Sequence, residues 1–226
     1  MGAFRPRDKN RQYVGSAFCF SQKGEFRGFQ CFVKEETGML AGSIREAVRN
    51  YVSEYDDDLD RLVIHYYKKM SYSERKPIER VLRNLGLEDV SIVVVTINKT
   101  PSSDTLVFDR EYKGKMPVSG TFVRLGHHRL LLCNNTRYAS SDREPQNYPF
   151  PVKVKIESDE RGFMHEQENV TEIMQQVYQF SRIYWKSISQ QNLPVTIKYP
   201  EMVAKMVPYF KGRSIPRFGR QNLWFL

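Results

Sequence analysis

The sequence predicts an α/β domain, a mixed sheet flanked by helices. Three observations carry this. Two aromatic and β-branched runs near the N-terminus are joined by a short turn sequence; two short apolar runs further on have the character of buried central strands; and the segments around those runs place apolar residues at helical spacing. The resulting order is hairpin, helix, buried strand, helix, buried strand, and many α/β folds share it.

The elements follow in turn. Residues 13–21 and 27–34 are strand-like, and Gln22-Lys23-Gly24-Glu25 between them reads as a hairpin turn. In 44–55, Ile44, Val48, Tyr51, Val52 and Tyr55 share one helical face. Residues 62–65 are a short buried-strand run, and 73–85 return to helical spacing through Ile78, Val81, Leu82 and Leu85, with Gly86 as the stop. Residues 90–98 form the most apolar strand. From 105 to 156 come further strands, 128–133 among them, with Gly114, Gly120 and Gly126 at turns and a polar, Pro-containing loop at 140–151. A long helix follows, with Asn169 as its cap and Glu172 reaching back to it. Ile173, Val177, Phe180, Tyr184 and Ile188 are its apolar stripe, while Arg182 and Lys186 stand about one turn apart on the other face. A last, shorter helix opens at Pro200 and finishes near Pro208.

At 226 residues the chain is expected to be one domain, residues 13–226, preceded by a basic lead-in, 1–12. No run approaches the length of a membrane span, and the basic start lacks the apolar stretch of a secretion signal. Cys19, Cys31 and Cys133 are odd in number and sit in apolar runs, which fits reduced core thiols of a cytoplasmic protein. The formal charge is +9 and it is segregated. Asp56, Asp57, Asp58 and Asp60 gather the acid, whereas the last 46 residues carry eight Lys or Arg and one acidic residue. A basic face set in a packed segment points to a polyanion held at a defined place.

Enzyme motifs are scarce. There is no GxSxG, Walker or GxGxxG pattern. His65, His127, His128 and His165 have no Cys or Asp at metal-ligand spacing, so each reads as a surface or internally satisfied histidine.

The C-terminal segment FSRIYWKSISQQNLPVTIKYPEMVAKM, with the closing NLWFL, resembles the end of the PIWI domain of prokaryotic Argonautes. The resemblance extends over 13–226 and is most specific after Phe180. It implies a ribonuclease H-like fold. Catalytic members of that family arrange carboxylates around two divalent cations roughly 4 Å apart, which stabilise the attacking and leaving oxygens. Their first Asp lies two residues beyond a Gly on the first strand; here Gly15-Ser16-Ala17 puts Ala17 there. Their second follows the central strand, where this chain has Tyr67. The fourth position is Glu201, read as an acid at a helix N-terminus, and the loop glutamate stays open between Glu35, Glu36 and Glu46. The resemblance therefore implies a catalytically silent member.

It also implies nucleic-acid contacts. Arg182 and Lys186 match basic helix positions that hold guide-strand phosphates, and Tyr199 matches a tyrosine at the guide backbone. Lys198, Lys205, Lys211, Arg213, Arg217 and Arg220 would extend the groove, and Arg137, in the strand-end sequence Asn134-Asn135-Thr136-Arg137-Tyr138, is a further phosphate candidate. A solvated helix face for Arg182, ordinary packing for Tyr199 and a salt bridge for Arg137 are the structural alternatives. The Leu226 carboxylate would help hold Mg2+ at the guide 5′ phosphate, or Trp224, Phe225 and Leu226 would plug an apolar groove.

The MID domain that precedes PIWI in the family is not represented in the 12 residues before Tyr13, so the chain is expected to be either a fragment or one half of a split Argonaute, with a MID-containing polypeptide or domain as partner. The functional expectation is a silent PIWI module of a short or split Argonaute in prokaryotic antiviral defence. It would hold guide RNA (or DNA) and complementary target DNA, and recognition would activate an NAD-consuming or nuclease effector. The rivals are an active metal-dependent nuclease built on Asp56, Asp58, Asp60 or Glu201, and a structural half whose work is binding protein.

Overall fold

β1 (Gly2–Phe4), β2 (Val14–Phe20) and β3 (Phe26–Val33) form an antiparallel sheet in that order. The computed structural model describes residues 1–4, 14–21, 24–33, 37–54, 59–98, 105–138, 149–184, 193–210 and 217–226. The hairpin is the expected one. β1 is not: it lies inside the stretch assigned to a lead-in, and three residues without alternation carry no strand signal. Register sets Phe18 opposite Phe29 and Ala17 opposite Gln30, so alternate residues of β2 serve two faces. On the first face Phe18 and Phe29 stack at 4.6 Å. Gly28, at φ +140, lets the Arg220 carbonyl approach to where a Cβ would stand 3.2 Å from it. On the second face, Ser43 of α1 (Thr37–Glu54) donates its hydroxyl to Gln30 at 2.9 Å, and Gln30 bonds Glu46. α1 begins seven residues before the predicted start and buries Leu40, Ala41, Ile44 and Val48, while Val52, expected on the buried face, is exposed.

β4 (Arg61–Tyr66), α2 (Tyr72–Asn84) and β5 (Ser91–Ile97) follow as predicted. α2 is closed at both ends by local chemistry. Ser71 and Glu74 form a capping box. At the other end Gly86, at φ +72, donates to Arg83 O and Leu87 donates to Leu82 O, both at 3.0 Å, a Schellman arrangement.

The chain divides into two units, 1–93 with 196–226, and 94–195. β6 (Phe122–Arg124), β7 (Arg129–Leu132) and β8 (Val152–Ser158) pair antiparallel, and the second sheet has the order β4-β5-β8-β7-β6. A sheet with helical connections is the α/β class the sequence predicted.

α3 (Gln167–Arg182) departs from prediction at both ends. Its cap position is Glu166, and Asn169 lies inside the first turn, donating its amide to Glu166 at 2.6 Å. It ends at Arg182, and Lys186, expected one turn further on, lies outside the described residues. Its buried stripe is Val170, Ile173, Met174, Val177 and Ser181, while Phe180, expected on that stripe, is half-buried.

α4 (Val195–Met206) begins five residues before Pro200, the predicted start. Pro200 has no N–H, which leaves the Thr196 carbonyl one turn back without its helical donor. The Met1 amino nitrogen supplies one instead, at 2.9 Å, and also donates to the His65 carbonyl at 2.6 Å. Two 3-10 turns, Val207–Phe210 and Arg217–Arg220, complete the described C-terminal segment.

Candidate nucleic-acid interface

In the first unit, two buried hydrogen bonds converge on α4. Ser16 of β2 donates its hydroxyl to the Pro200 carbonyl at 2.7 Å, and Nδ1 of His65 in β4 meets the Thr196 hydroxyl at 2.7 Å. Ala17 is the next residue after Ser16, Glu201 follows Pro200, and Tyr67 is two residues beyond His65. Ala17 and Tyr67, which the resemblance matches to metal-bridging carboxylates, and Glu201, which it matches to the fourth ligand, therefore lie within two residues of these bonds. Their side chains do not make a carboxylate set. Ala17 offers a methyl group, and the Tyr67 ring packs edge-on against Tyr66 at 5.1 Å. Glu201 lies mid-helix rather than at an N-terminus, because α4 starts early, and it pairs with Lys205 at 3.1 Å. Among the described residues no three His, Cys, Asp or Glu side chains form a metal-binding group. Asp56 and Asp58, with Glu35 and Glu36, lie outside those residues.

The loop that carries Tyr67 is held by Glu74, which pairs with Lys68 at 2.8 Å and accepts from the Tyr66 hydroxyl at 2.7 Å. Burial works to raise its pKa, but the Lys68, Ser71 and Tyr66 bonds outweigh it and bring the carboxyl down to about 2.

Tyr199 is in the core, 3% exposed, with its ring 5.6 Å from Phe225 and 6.1 Å from Phe18. The packing alternative is the one its surroundings fit. Phe225 in turn meets Phe18 and Phe29 edge-on, at 5.5 and 5.8 Å. Trp224 is half out of the protein and donates Nε1 to the Gly219 carbonyl at 2.7 Å. These contacts anchor the segment ending at Leu226, as the groove-plug alternative anticipates. A single carboxylate does not fill the octahedral oxygen shell of Mg2+, so a cation at Leu226 would take most of its oxygens from phosphate and water.

In the second unit the two arginine candidates differ in kind. Arg137 is committed to its own chain. Its guanidinium pairs with Asp109 at 2.5 Å, donates to the Met116 carbonyl, and lies 3.7 Å from the Tyr112 ring centroid. Hydrogen bonding from Arg137 holds the Asp109 carboxyl below its ordinary range. The salt-bridge alternative thus describes Arg137, and a phosphate would have to displace Asp109. Arg182 is exposed and makes no ion pair among the described residues. Its Nη1 donates to Asn134 Oδ1 at 3.1 Å, and its guanidinium carbon lies 5.1 Å from the Tyr138 ring and 5.9 Å from the Tyr178 ring. Partial burial lowers its pKa without threatening the charge of a guanidinium.

Of the remaining basic candidates, Lys198 has its pKa lowered by burial, with Glu201 working the other way, and Lys205 is taken up with Glu201. Lys211 and Arg213 lie outside the described residues, as Lys186 does. The side chain of Arg217 is likewise undescribed, and Arg220 presents its carbonyl to Gly28.

Sequence reasoning overlooked the polar residues behind Arg182. Asn134 and Ser181 are each 2% exposed and bond one another at 2.7 Å. The available signal was a pair of asparagines directly after the apolar run Leu130-Leu131-Leu132-Cys133. It also missed that His127 comes within 4.5 Å of His128 and 4.8 Å of His165, ring to ring.

Comparison with known proteins bears on these arrangements. The family model described as Piwi domain matches residues 2–211. A Piwi protein of Archaeoglobus fulgidus is 27% identical over 204 residues, covering 83% of this chain and 47% of the relative. A Protein argonaute of Cereibacter sphaeroides is 23% identical over 253 residues, covering 97% of this chain and 31% of the relative. The chain thus spans about half or less of the length of these curated relatives.

Proposed function

Because the chain belongs to the Piwi domain family, a ribonuclease H-like α/β fold, we propose that it is a nuclease-inactive PIWI module that holds a guide strand and its paired target for sensing. What supports this reading is the residue types at Ala17, Tyr67 and Glu201: one carboxylate among the three positions, and that one paired with Lys205. Two-metal phosphoryl transfer needs carboxylates that bridge both cations, and one Glu cannot supply them.

Binding in this reading rests on phosphate contacts, which accept a guide of any sequence. Arg182 is the principal contact, with Lys186 as its companion. The partners are a guide RNA or DNA, a complementary target DNA and a MID-containing polypeptide or domain, in the cytoplasm of a prokaryotic cell. Mg2+ joins the guide 5′ phosphate to the Leu226 carboxylate. Pairing with target shifts a conformational equilibrium only insofar as the duplex makes contacts the guide alone lacks, and that shift activates an NAD-consuming or nuclease effector in antiviral defence.

The test is incubation of the chain, with any co-purifying partner, with a 5′-phosphorylated guide and labelled complementary DNA in Mg2+ or Mn2+. Guide-dependent capture of intact target is the expected result. Metal-dependent cutting that is lost on changing Glu201 or Asp60 rejects the silent reading in favour of a nuclease, and indifference to both strands favours a protein-binding role.

A further inference from the structure

We propose that Asn134 is a positioning residue that presents the Arg182 guanidinium, ordered and still fully charged, to a nucleic-acid phosphate; the inference rests on the reading of Arg182 as a phosphate contact. The geometry around Asn134 permits one amide orientation only. Arg182 can only donate, so the Asn134 atom 3.1 Å from Nη1 must be the carbonyl oxygen. The Asn134 amide nitrogen then faces Ser181 Oγ at 2.7 Å, and Ser181 can accept that bond because its own hydroxyl proton goes to the Tyr178 carbonyl at 2.5 Å. These three bonds run in one consistent direction, from Arg182 to Asn134 to Ser181 to the Tyr178 carbonyl, and Asn134 and Ser181 are both buried.

The second face of the guanidinium's setting is aromatic. Tyr138 and Tyr178 lie beside it, and the Tyr178 hydroxyl is itself tied to Ser119 at 3.1 Å. Ser119 in turn donates to the Asn135 carbonyl at 2.8 Å, so the same strand end that supplies Asn134 also braces the ring. A long, rotamer-rich side chain is thereby ordered on folding, and less of that entropy is lost when a phosphate arrives.

The chemistry of the partner matters as much as its place. Arg137 is oriented by a carboxylate, Asp109, which cancels its charge locally; Arg182 is oriented by a neutral amide, which does not. One of its five N–H groups is used on Asn134, and the others remain available for the two-pronged hydrogen bonding that guanidinium makes with phosphate.

The experiment measures binding of the 226-residue chain to two probes across a range of salt: a short fluorescein-labelled, 5′-phosphorylated single-stranded RNA, and the same RNA paired with complementary DNA. The variants are Arg182→Ala, Asn134→Ala, Asn134→Asp and Asn134→Asp with Arg182→Ala, each checked for folding by thermal unfolding. Arg182→Ala should weaken binding about 5- to 30-fold and reduce the salt slope by about one phosphate contact. Asn134→Asp, which keeps size and acceptor, should reproduce both changes by neutralising the guanidinium, and should add nothing in the Arg182→Ala background. Asn134→Ala should weaken binding while keeping the slope, since the charge remains but is no longer held. If Arg182→Ala weakens binding and both folded Asn134 variants bind as wild type, the positioning role is overturned and the phosphate contact stands. If Arg182→Ala binds as wild type, or the wild-type chain has no affinity for either probe, the phosphate contact itself is rejected and the positioning role with it.

Discussion

Ser16 donates its hydroxyl to the main-chain carbonyl of Pro200 at 2.7 Å, a bond between residues 184 positions apart with the serine fully buried. It fastens β2 to α4 and so brings the residues after each, Ala17 and Glu201, onto neighbouring elements. A neutral buried hydrogen bond contributes little net energy when intact, yet losing one partner is costly, since the other cannot recover water. Ser16→Ala should lower unfolding free energy by about 1–2 kcal/mol, read from the urea midpoint with an unchanged m-value.

The aromatic cluster around Phe225 tests whether the C-terminal segment is structural. Phe225 is 5% exposed and touches Phe18, Phe29, Tyr199 and Trp224. Phe225→Ala should cost about 3–5 kcal/mol. Tyr199→Phe should leave nucleic-acid affinity near wild type, because the ring, which does the packing, is kept. A marked loss of affinity in Tyr199→Phe with normal stability would instead assign the hydroxyl to the guide backbone.

Arg137 and Arg182 should separate cleanly in mutagenesis. Arg137→Lys loses the stacking on Tyr112 and the fork that serves Asp109 and the Met116 carbonyl together. The expected outcome is a lower unfolding midpoint with an unaltered salt dependence of RNA binding, measured by titrating the folded variant at several salt concentrations.

Acid should act on two groups in sequence. Burial, assisted by the nearby Met1 ammonium, pushes the His65 pKa from 6.5 down to about 3, so the folded state keeps the ring neutral. Its contribution is present above pH 6.5 and is lost as pH falls from there toward 3. Glu74 is held charged: its carboxyl falls from 4.5 to about 2, so its contribution is present above pH 4.5 and lost as pH drops toward 2. Urea midpoints across pH should begin to decline below 6.5, and Glu74→Gln should differ from wild type above pH 4.5 but converge with it at lower pH.

Local periodicity made much of the fold legible. β2, β3, β4, α2 and β5 lie within one or two residues of where aromatic alternation, apolar runs and the Gly86 stop place them, because each signal is written in neighbouring residues. The misplaced boundaries share long-range contacts. α3 ends at Arg182, where spacing alone suggested continuation through Ile188, and its buried stripe includes Ser181, which bonds Asn134, 47 positions away. α4 starts upstream of Pro200, and the Thr196 carbonyl that Pro200 leaves without a helical donor bonds Met1, 195 positions away. Likewise β1 is defined by its pairing with β2 rather than by its own three residues.

By itself the sequence determined most of the order of strands and helices and the gathering of positive charge after Ser181, both of which depend on residue identity and local spacing. Only the tertiary structure decided which basic side chains are committed and which are open. Arg137 and Arg182 read alike along the chain; one is cancelled by Asp109, 28 positions away, and the other is oriented by Asn134, 48 positions away. A charge is neutralised or preserved by what lies within hydrogen-bond reach in space, and folding alone sets that distance.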